Sequence, residues 1–138
     1  MLNNPRSGIG SVPEYQASGV PWAVSGSVST SPVIHMFPMV SRAVTVTNNS
    51  AAGNILLIGF TQNGTVVGSS SFPLDGGKQI RMEVRVKDLY LKGAAGAVSY
   101  GVLAELTSIE RQQMPYLTSS LSPSDLVASS SWVYPGVG

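Results

Sequence analysis

The sequence predicts an all-β fold, a sandwich of two antiparallel sheets, and three observations support this prediction. The residues from Ile80 to Lys87 alternate between apolar and charged side chains, which is the period of two of a strand with one buried face. Seven further segments read as strands and are separated by Gly, Pro, Asn and Ser. No segment of the sequence has the pattern of an amphipathic helix, so a fold of eight strands is favoured over one that contains helices.

The eight predicted strands follow one another at short intervals along the chain. They span 20–30, 33–40, 42–48, 55–62, 65–72, 79–86, 88–92 and 97–107. Pro38 marks the second as an edge or kinked strand, because proline cannot donate to a sheet ladder. Asn63-Gly64 predicts a two-residue type I′ hairpin turn, which places Ile58 opposite Ser69. Since a jelly roll is the commonest arrangement of eight such strands, we predict an eight-stranded single jelly roll.

One face of the strand 79–86, and the matching face of the strand 55–62, are predicted to form the core. The expected buried residues are Ile80, Met82, Val84, Val86, Leu56, Ile58 and Phe60. The expected residues of the opposite, wet or partner-facing side are Arg81, Glu83, Arg85 and Lys87.

With 138 residues the chain is expected to form one domain, long enough to bury a core without metals or disulfides. We expect an extended N-terminal arm over 1–18, the jelly roll over 19–108, and an irregular C-terminal tail over 109–138. Within the tail, Ser122-Pro123-Ser124-Asp125 predicts a short helical turn. Trp132 and Tyr134 are costly to leave in water, so they are expected to dock on this domain or on a neighbouring subunit.

Charge is scarce and concentrated in one part of the sequence. Only 11% of residues are charged, and eight of them lie between Asp75 and Lys92. A monomer usually spreads charge over its surface, so the uncharged remainder favours a surface covered by other subunits over a merely neutral monomer. A net charge of +1 gives no electrostatic reason to expect nucleic acid. The sequence has no cysteine and no apolar run of about 18 residues, so we expect neither disulfides nor a membrane span.

No catalytic, cofactor or metal site is predicted. The single histidine, His35, lies in an apolar stretch and fits a structural role better than a catalytic one. Glu83 stands between Arg81 and Arg85 on its strand face, which fits a salt-bridged surface group rather than an acid of raised pKa. Glu110-Arg111 is expected to be a solvated pair. The sequence therefore favours binding and geometry over enzymatic function.

Four short segments in the second half of the chain carry a resemblance to a known family. They are Met82-Glu83-Val84, Leu89-Tyr90-Leu91, Ala104-Glu105-Leu106-Thr107-Ser108-Ile109 and Met114-Pro115-Tyr116-Leu117-Thr118-Ser119-Ser120-Leu121. In these segments the chain resembles the penton proteins of large icosahedral double-stranded DNA viruses. Those are single jelly-roll proteins at the fivefold vertices of capsids whose faces are built from double jelly-roll trimers. Glycine is frequent in the family at the positions of Ser108 and Ser119, where this chain has serine.

The resemblance implies a structural virion protein without catalysis, located at the capsid vertex. It would form a homopentamer beside major capsid protein trimers and minor capsid proteins, without direct contact with nucleic acid. The candidate subunit-interface residues are Arg81, Glu83, Arg85, Lys87, Trp132 and Tyr134. The alternative is a carbohydrate- or receptor-binding β-sandwich, in which an exposed Trp22 or Trp132 would contact the ligand.

Overall fold

In a computed structural model, the chain forms two four-stranded antiparallel sheets. The structure describes residues 19–61, 64–65, 70–114, 116–118 and 131–133. The sandwich strands are β1 (Val20–Val28), β2 (Val33–Met36), β3 (Met39–Asn48), β4 (Leu56–Gly59), β5 (Phe72–Leu74), β6 (Gln79–Met82), β7 (Asp88–Gly93) and β8 (Val98–Glu110). A 3-10 turn (Arg111–Gln113) follows, and β9 (Tyr116–Thr118) pairs in parallel with β10 (Ser131–Val133). The predicted arm 1–18 and the helical turn near Ser122 lie outside the described residues.

The strand order confirms the jelly roll. Sheet A has the order β1-β8-β3-β6, and sheet B has the order β2-β7-β4-β5. The first strand therefore pairs with the eighth, the second with the seventh, the third with the sixth and the fourth with the fifth. This nested pairing is that of one long hairpin rolled into a two-sheet sandwich.

The core lies between the two sheets and is made by the inward rows of alternating side chains. In sheet A, Val44 and Val46 are fully buried and lie opposite Ala104 and Val102 of β8. In sheet B, the buried inward row is Leu56, Ile58, Leu89 and Leu91. Burying each such side chain contributes roughly 1.5–3 kcal/mol.

Three of the seven predicted core residues are fully confirmed as buried, and the other four are less buried than predicted. Leu56, Ile58 and Val86 are buried. The other four predicted core residues are half-buried and pack against the cluster: Phe60, Ile80, Met82 and Val84. Three of these lie on or just after β6, which is an edge strand of sheet A and therefore has a neighbour on one side only.

The predicted strand 33–40 is divided at Pro38, and its first part is an edge strand, as the proline predicts. β2 is an edge strand of sheet B and ends at Met36, and β3 begins in sheet A at Met39. Phe37 and Pro38 thus carry the chain from one sheet to the other, and Phe37 is fully buried at this corner.

The hairpin register predicted from Asn63-Gly64 is wrong. β4 pairs with β5 so that Ile58 lies opposite Phe72, whereas a two-residue turn requires Ser69 at that place. The connection between the two strands is therefore much longer than a tight hairpin turn.

Gly64 and Thr65, the described residues at the predicted turn, are helical and bond back to Thr61. The Thr65 N–H donates to the Thr61 carbonyl oxygen at 3.3 Å, and the Gly64 N–H donates to the Thr61 hydroxyl at 2.9 Å. Thr65 is fully buried, with its methyl group over Gly59, where a Cβ would overlap it. Local hydrogen bonds to a threonine, supported by this burial, outweigh the intrinsic turn preference of the Asn-Gly pair.

The alternation of apolar and charged residues also ends earlier than predicted. β6 stops at Met82, and beyond it the Ser41 hydroxyl donates to the Val84 carbonyl at 2.7 Å and accepts the Val86 N–H at 3.1 Å. Ser41 lies between two register shifts of β3, so its side chain replaces ladder bonds at an irregular part of the strand. From Val86 onward four successive residues are buried, and the period of two is lost.

Candidate subunit interface

The sandwich has two flanks, each made by one edge strand of each sheet. The link 29–32 joins the edge strands β1 and β2, and the link 75–78 joins the edge strands β5 and β6. We call the β1–β2 side the first flank and the β5–β6 side the second flank. Both are places where the sheets present unpaired backbone and the ends of the core layer.

Most of the exposed large apolar side chains lie on these flanks. The described residues of this kind are Val20, Ile34 and Met36 on the first flank, Phe72 on the second flank, and Leu103 on β8. Met36 is 57% exposed and Phe72 is 49% exposed, values unusual for side chains of this size. Leu103 differs in position, because it points out of sheet A from an interior strand. Apolar surface on both flanks is typical of a subunit that is covered by neighbours.

Two predicted interface residues, Arg81 and Glu83, lie on the second flank but are already paired within the chain. Arg81 Nη1 contacts Glu83 Oε1 at 2.9 Å, and Arg81 Nη2 contacts Glu105 Oε2 at 3.1 Å. Arg42 Nε approaches the other Glu105 oxygen at 3.7 Å. The hydrogen bond from Arg81 lowers the pKa of Glu83, as expected for a salt-bridged surface carboxylate. The pairing partner Glu105 was missed because it lies two strands away from Arg81 in sheet A.

The remaining predicted interface residues fall in different places. Arg85 is exposed beyond the end of β6, on the second flank. Lys87 is 7% exposed, so its prediction as an accessible interface residue is wrong. Trp132 lies in β10, opposite Leu117 of β9, while its side chain and Tyr134 are outside the part of the chain that is described.

Lys87 belongs instead to a buried polar cluster with Asp88 and Arg111. Its Nζ donates to the Met114 carbonyl at 2.7 Å, and burial lowers its pKa, with the nearby Arg111 charge adding to the effect. Arg111 Nη2 contacts Asp88 Oδ1 at 2.5 Å, and Nη1 donates to the Lys87 carbonyl at 2.6 Å. The expectation of a solvated Glu110-Arg111 pair is therefore wrong. The cluster fastens the 3-10 turn to the start of β7.

A cluster of aromatic side chains fills the space between the sheets at the first flank. His35 Nε2 lies 2.7 Å from the Tyr100 hydroxyl, which joins β2 of sheet B to β8 of sheet A. Burial lowers the pKa of His35. The Trp22 ring meets Phe37 edge to face at 5.0 Å and His35 at 6.2 Å. Because the indole is half-buried and engaged in these contacts, Trp22 does not supply the exposed aromatic that a carbohydrate-binding site would need.

The outer face of sheet A carries a shallow groove of about 480 Å³ over Gly101. The residues that line it are uncharged and include Ala23, Ser25, Thr45, Thr47, Gln79 and Leu103. Within the described ranges, no group of three or more His, Asp or Glu side chains is placed to hold a metal ion. In the same ranges, no helix has the length and apolar character needed to cross a bilayer.

Comparison with known proteins gives structural similarity without a family. No family model matches the sequence, and no curated protein matches it. A cupin protein from Bacteroides fragilis covers 66% of this chain and 69% of its own, with 10% identity and a TM-score of 0.41. PliG, a periplasmic inhibitor of g-type lysozyme from Aeromonas hydrophila, covers 67% and 90%, with 11% identity and a TM-score of 0.40. A Bacillus endospore appendage protein of disulfide-linked pili covers 64% and 87%, with 8% identity and a TM-score of 0.33.

Proposed function

We propose that this chain is a structural capsid protein that forms a homopentamer at the vertices of an icosahedral virion. The observation that carries the proposal is the exposed apolar surface on both flanks of a single jelly roll. The resemblance of the second half of the sequence to penton proteins supports the same role. The function is then to hold the geometry of the vertex, beside the trimers of a major capsid protein.

The distribution of apolar residues fits a ring of identical subunits. Fivefold symmetry generates only heterologous contacts, in which one surface of each subunit meets a different surface of the next. Ile34 and Met36 on the first flank and Phe72 on the second flank supply two such different apolar surfaces. In the ring, the first flank of one copy would pack on the second flank of its neighbour. A stable contact of this kind buries roughly 1,200–2,000 Å² in total.

The charged residues of the second flank give the contact its orientation. Arg81, Glu83 and Arg85 lie on or just after β6, on the same flank as Phe72 of β5. Since Arg81 is held by two carboxylates of its own chain, it forms a fixed charged rim around the apolar contact. Such rims contribute more to specificity than to affinity.

The test is native mass spectrometry of the purified chain, together with imaging of particles along their fivefold axes. We expect a fivefold species that is weak in solution, and density at the vertices that this jelly roll fits. Met36→Ser and Phe72→Ser should each reduce the fivefold species and incorporation into particles. Leu103→Ser is the matched control, because it removes a similarly exposed apolar side chain that lies on neither flank.

Two outcomes would contradict the proposal. One is density at the fivefold axes that this chain cannot fit. The other is equal loss of assembly in all three serine variants, which would point to a general effect of surface apolarity rather than to flank contacts. Removal of residues 1–18 is expected to leave the sandwich folded and to weaken incorporation; loss of a cooperative melting transition would show that this segment belongs to the core.

A further inference from the structure

The four edge strands of the sandwich differ in how well they resist pairing with another strand. β5 has three residues and contains Pro73, and β6 has four residues and contains Arg81. β2 has only four residues. β1 has nine residues, none of them charged, and its one proline is the second residue, Pro21. Short length, charge and proline protect an edge, so β1 is the unprotected one.

The backbone groups that β1 offers at its free edge can be assigned. In an antiparallel ladder, the N–H and C=O of one residue point to the same side, and successive residues alternate. Ser27 lies opposite Ser99, whose carbonyl accepts the Asn49 N–H at 2.8 Å on the other side of β8. Ser99 and Ser27 therefore do not bond each other, and the backbone groups of Ser27 point away from β8.

The alternation extends this assignment along the strand. Ser25, Ala23 and Pro21 must share the direction of Ser27, and a proline nitrogen facing the open edge is the position that sheets tolerate. No other strand among the described ranges pairs with this edge of β1. Ala23, Ser25 and Ser27 thus present a row of N–H and C=O groups that is ready to receive a strand.

We propose that β1 pairs antiparallel with β1 of a second copy of this chain, about a twofold axis that passes through Val24. In this register, Ala23 bonds the partner's Ser25 in both directions, and Ser27 donates to the partner's Pro21 carbonyl. Symmetry repeats these contacts, which gives about six ladder hydrogen bonds. The two copies of sheet A then form one continuous eight-stranded sheet across the axis.

The side chains of β1 suit this pairing. In the twofold register, Trp22 lies opposite the partner's Gly26, so the largest side chain of the strand meets the one residue without a side chain, and within each copy the Tyr100 hydroxyl lies over Gly26. On the outer face, Ala23 meets the partner's Ser25 and Ser27 meets the partner's Pro21, and none of these side chains is large. With no charge along the strand, the self-pairing meets no like-charge repulsion. A second copy is therefore the occupant that the sequence of the edge fits best.

This dimer goes beyond the proposed vertex role and uses part of the same surface. A twofold contact cannot arise from a fivefold axis, so the dimer is a form of the chain outside the ring. Because β1 belongs to the first flank, a copy paired through β1 cannot also offer that flank to a neighbour in the ring. Pairing of β1 would therefore keep free chains from assembling before they reach the capsid.

The experiment compares Ser25→Pro with Ser25→Ala by sedimentation equilibrium and native mass spectrometry over a dilution series. Ser25→Pro removes an edge-facing N–H on both copies while the ladder to β8 keeps its bonds, so we expect the dimer dissociation constant to rise at least about 30-fold. Ser25→Ala keeps the N–H and should dimerise like the unaltered chain. Phe72→Ser, on the other flank, should also leave the dimer unchanged.

Amide hydrogen exchange on the unaltered chain supplies a second readout, should the proline variant fail to fold. At high concentration, the amides of Ala23, Ser25 and Ser27 should become protected, and on dilution they should lose protection. The amides of Val24 and Gly26, which face β8, should stay protected throughout. A chain without a dimeric species, or a dimer that Ser25→Pro leaves intact, would overturn the inference, whether or not pentamers form at vertices.

Discussion

The buried cluster of Lys87, Asp88 and Arg111 allows a test in which two neighbouring substitutions have very different expected costs. Two cations share one carboxylate in a region where Asp88 and Arg111 side chains are only 9% and 19% exposed. Asp88→Asn removes the carboxylate that Arg111 contacts and that also favours the charged form of Lys87. Lys87→Met removes one of the cations instead and keeps the apolar stem.

The expected magnitudes follow from the contacts. Breaking a buried ion pair by removing one partner costs about 3–5 kcal/mol. Here water reaches part of Arg111, and asparagine can still accept one hydrogen bond, so we expect Asp88→Asn to cost about 2–3 kcal/mol. For a domain of this size, that lowers the melting temperature by roughly 6–12 °C. Lys87→Met should cost less than about 1 kcal/mol, because it also removes a desolvated charge that Arg111 repels.

The assay is urea unfolding followed by circular dichroism, on each single variant and on the double variant. Removing Lys87 relieves part of the charge imbalance that Asp88→Asn creates. The loss of unfolding free energy in the double variant should therefore be smaller than the sum of the two single losses, by at least about 0.5 kcal/mol. The reasoning fails if Asp88→Asn lies within about 0.5 kcal/mol of the unaltered chain, or if Lys87→Met is the costlier change.

Three further predictions concern the core, a turn and a titrating group. Leu91→Ala, in the fully buried row of sheet B, should destabilise the fold by about 2–5 kcal/mol, whereas Val84→Ala, at a half-buried site, should cost less than about 1.5 kcal/mol in the same urea assay. Gly76→Ala should lower the melting temperature, because a Cβ there would overlap the backbone of Ser50 and Ala51 in the loop between β3 and β4. Gly96→Ala should not, because a Cβ there meets nothing within 4 Å. Burial lowers the pKa of His35 from its usual 6.5, so the contribution of His35 to stability is complete above pH 6.5 and is lost as the pH falls through 6.5 towards the folded-state pKa. His35→Gln should remove this pH dependence of the unfolding free energy. The same pH dependence in the variant between pH 7.5 and 5 would show that His35 is not the titrating group.

The positions of strands could be predicted wherever a single periodic pattern governs the local structure. The alternation around Ile80 and Met82 gives the correct inward face, since a two-residue period leaves only one way to bury the apolar set. Pro38 correctly marks an edge strand, because proline excludes an interior strand position, although the strand ends before the proline. The jelly roll follows from eight strands without helices, and the order of strands confirms it.

The failures come from tertiary contacts that no local pattern records. Asn63-Gly64 has a strong hairpin preference, but the burial of Thr65 over Gly59 places a helical turn there. Lys87 continues the charged row of its strand in sequence, yet Ser41 ends that strand by bonding its backbone. The lysine then points into a site made by Met114, 27 residues further along the chain. A single sequence gives no signal for such a distant partner.

The ring and the β1 dimer use different parts of the same sandwich, so substitutions on one flank can distinguish the two proposals by experiment. The ring needs both flanks, since the first flank of one copy packs on the second flank of the next. The β1 dimer needs only the first flank. Phe72→Ser should therefore weaken the ring and leave the dimer intact, because Phe72 lies on the second flank.

Blocking the β1 edge gives the complementary prediction. Ser25→Pro weakens the competing dimer. If the ring contact is made by side chains such as Ile34 and Met36, more of the variant than of the unaltered protein is then free to enter the ring at equal concentration. Faster or more complete incorporation of Ser25→Pro into particles, with Ser25→Ala unchanged, is the expected result. Slower incorporation would mean that the β1 backbone edge itself takes part in the ring contact, so that Ser25→Pro weakens the ring as well as the dimer.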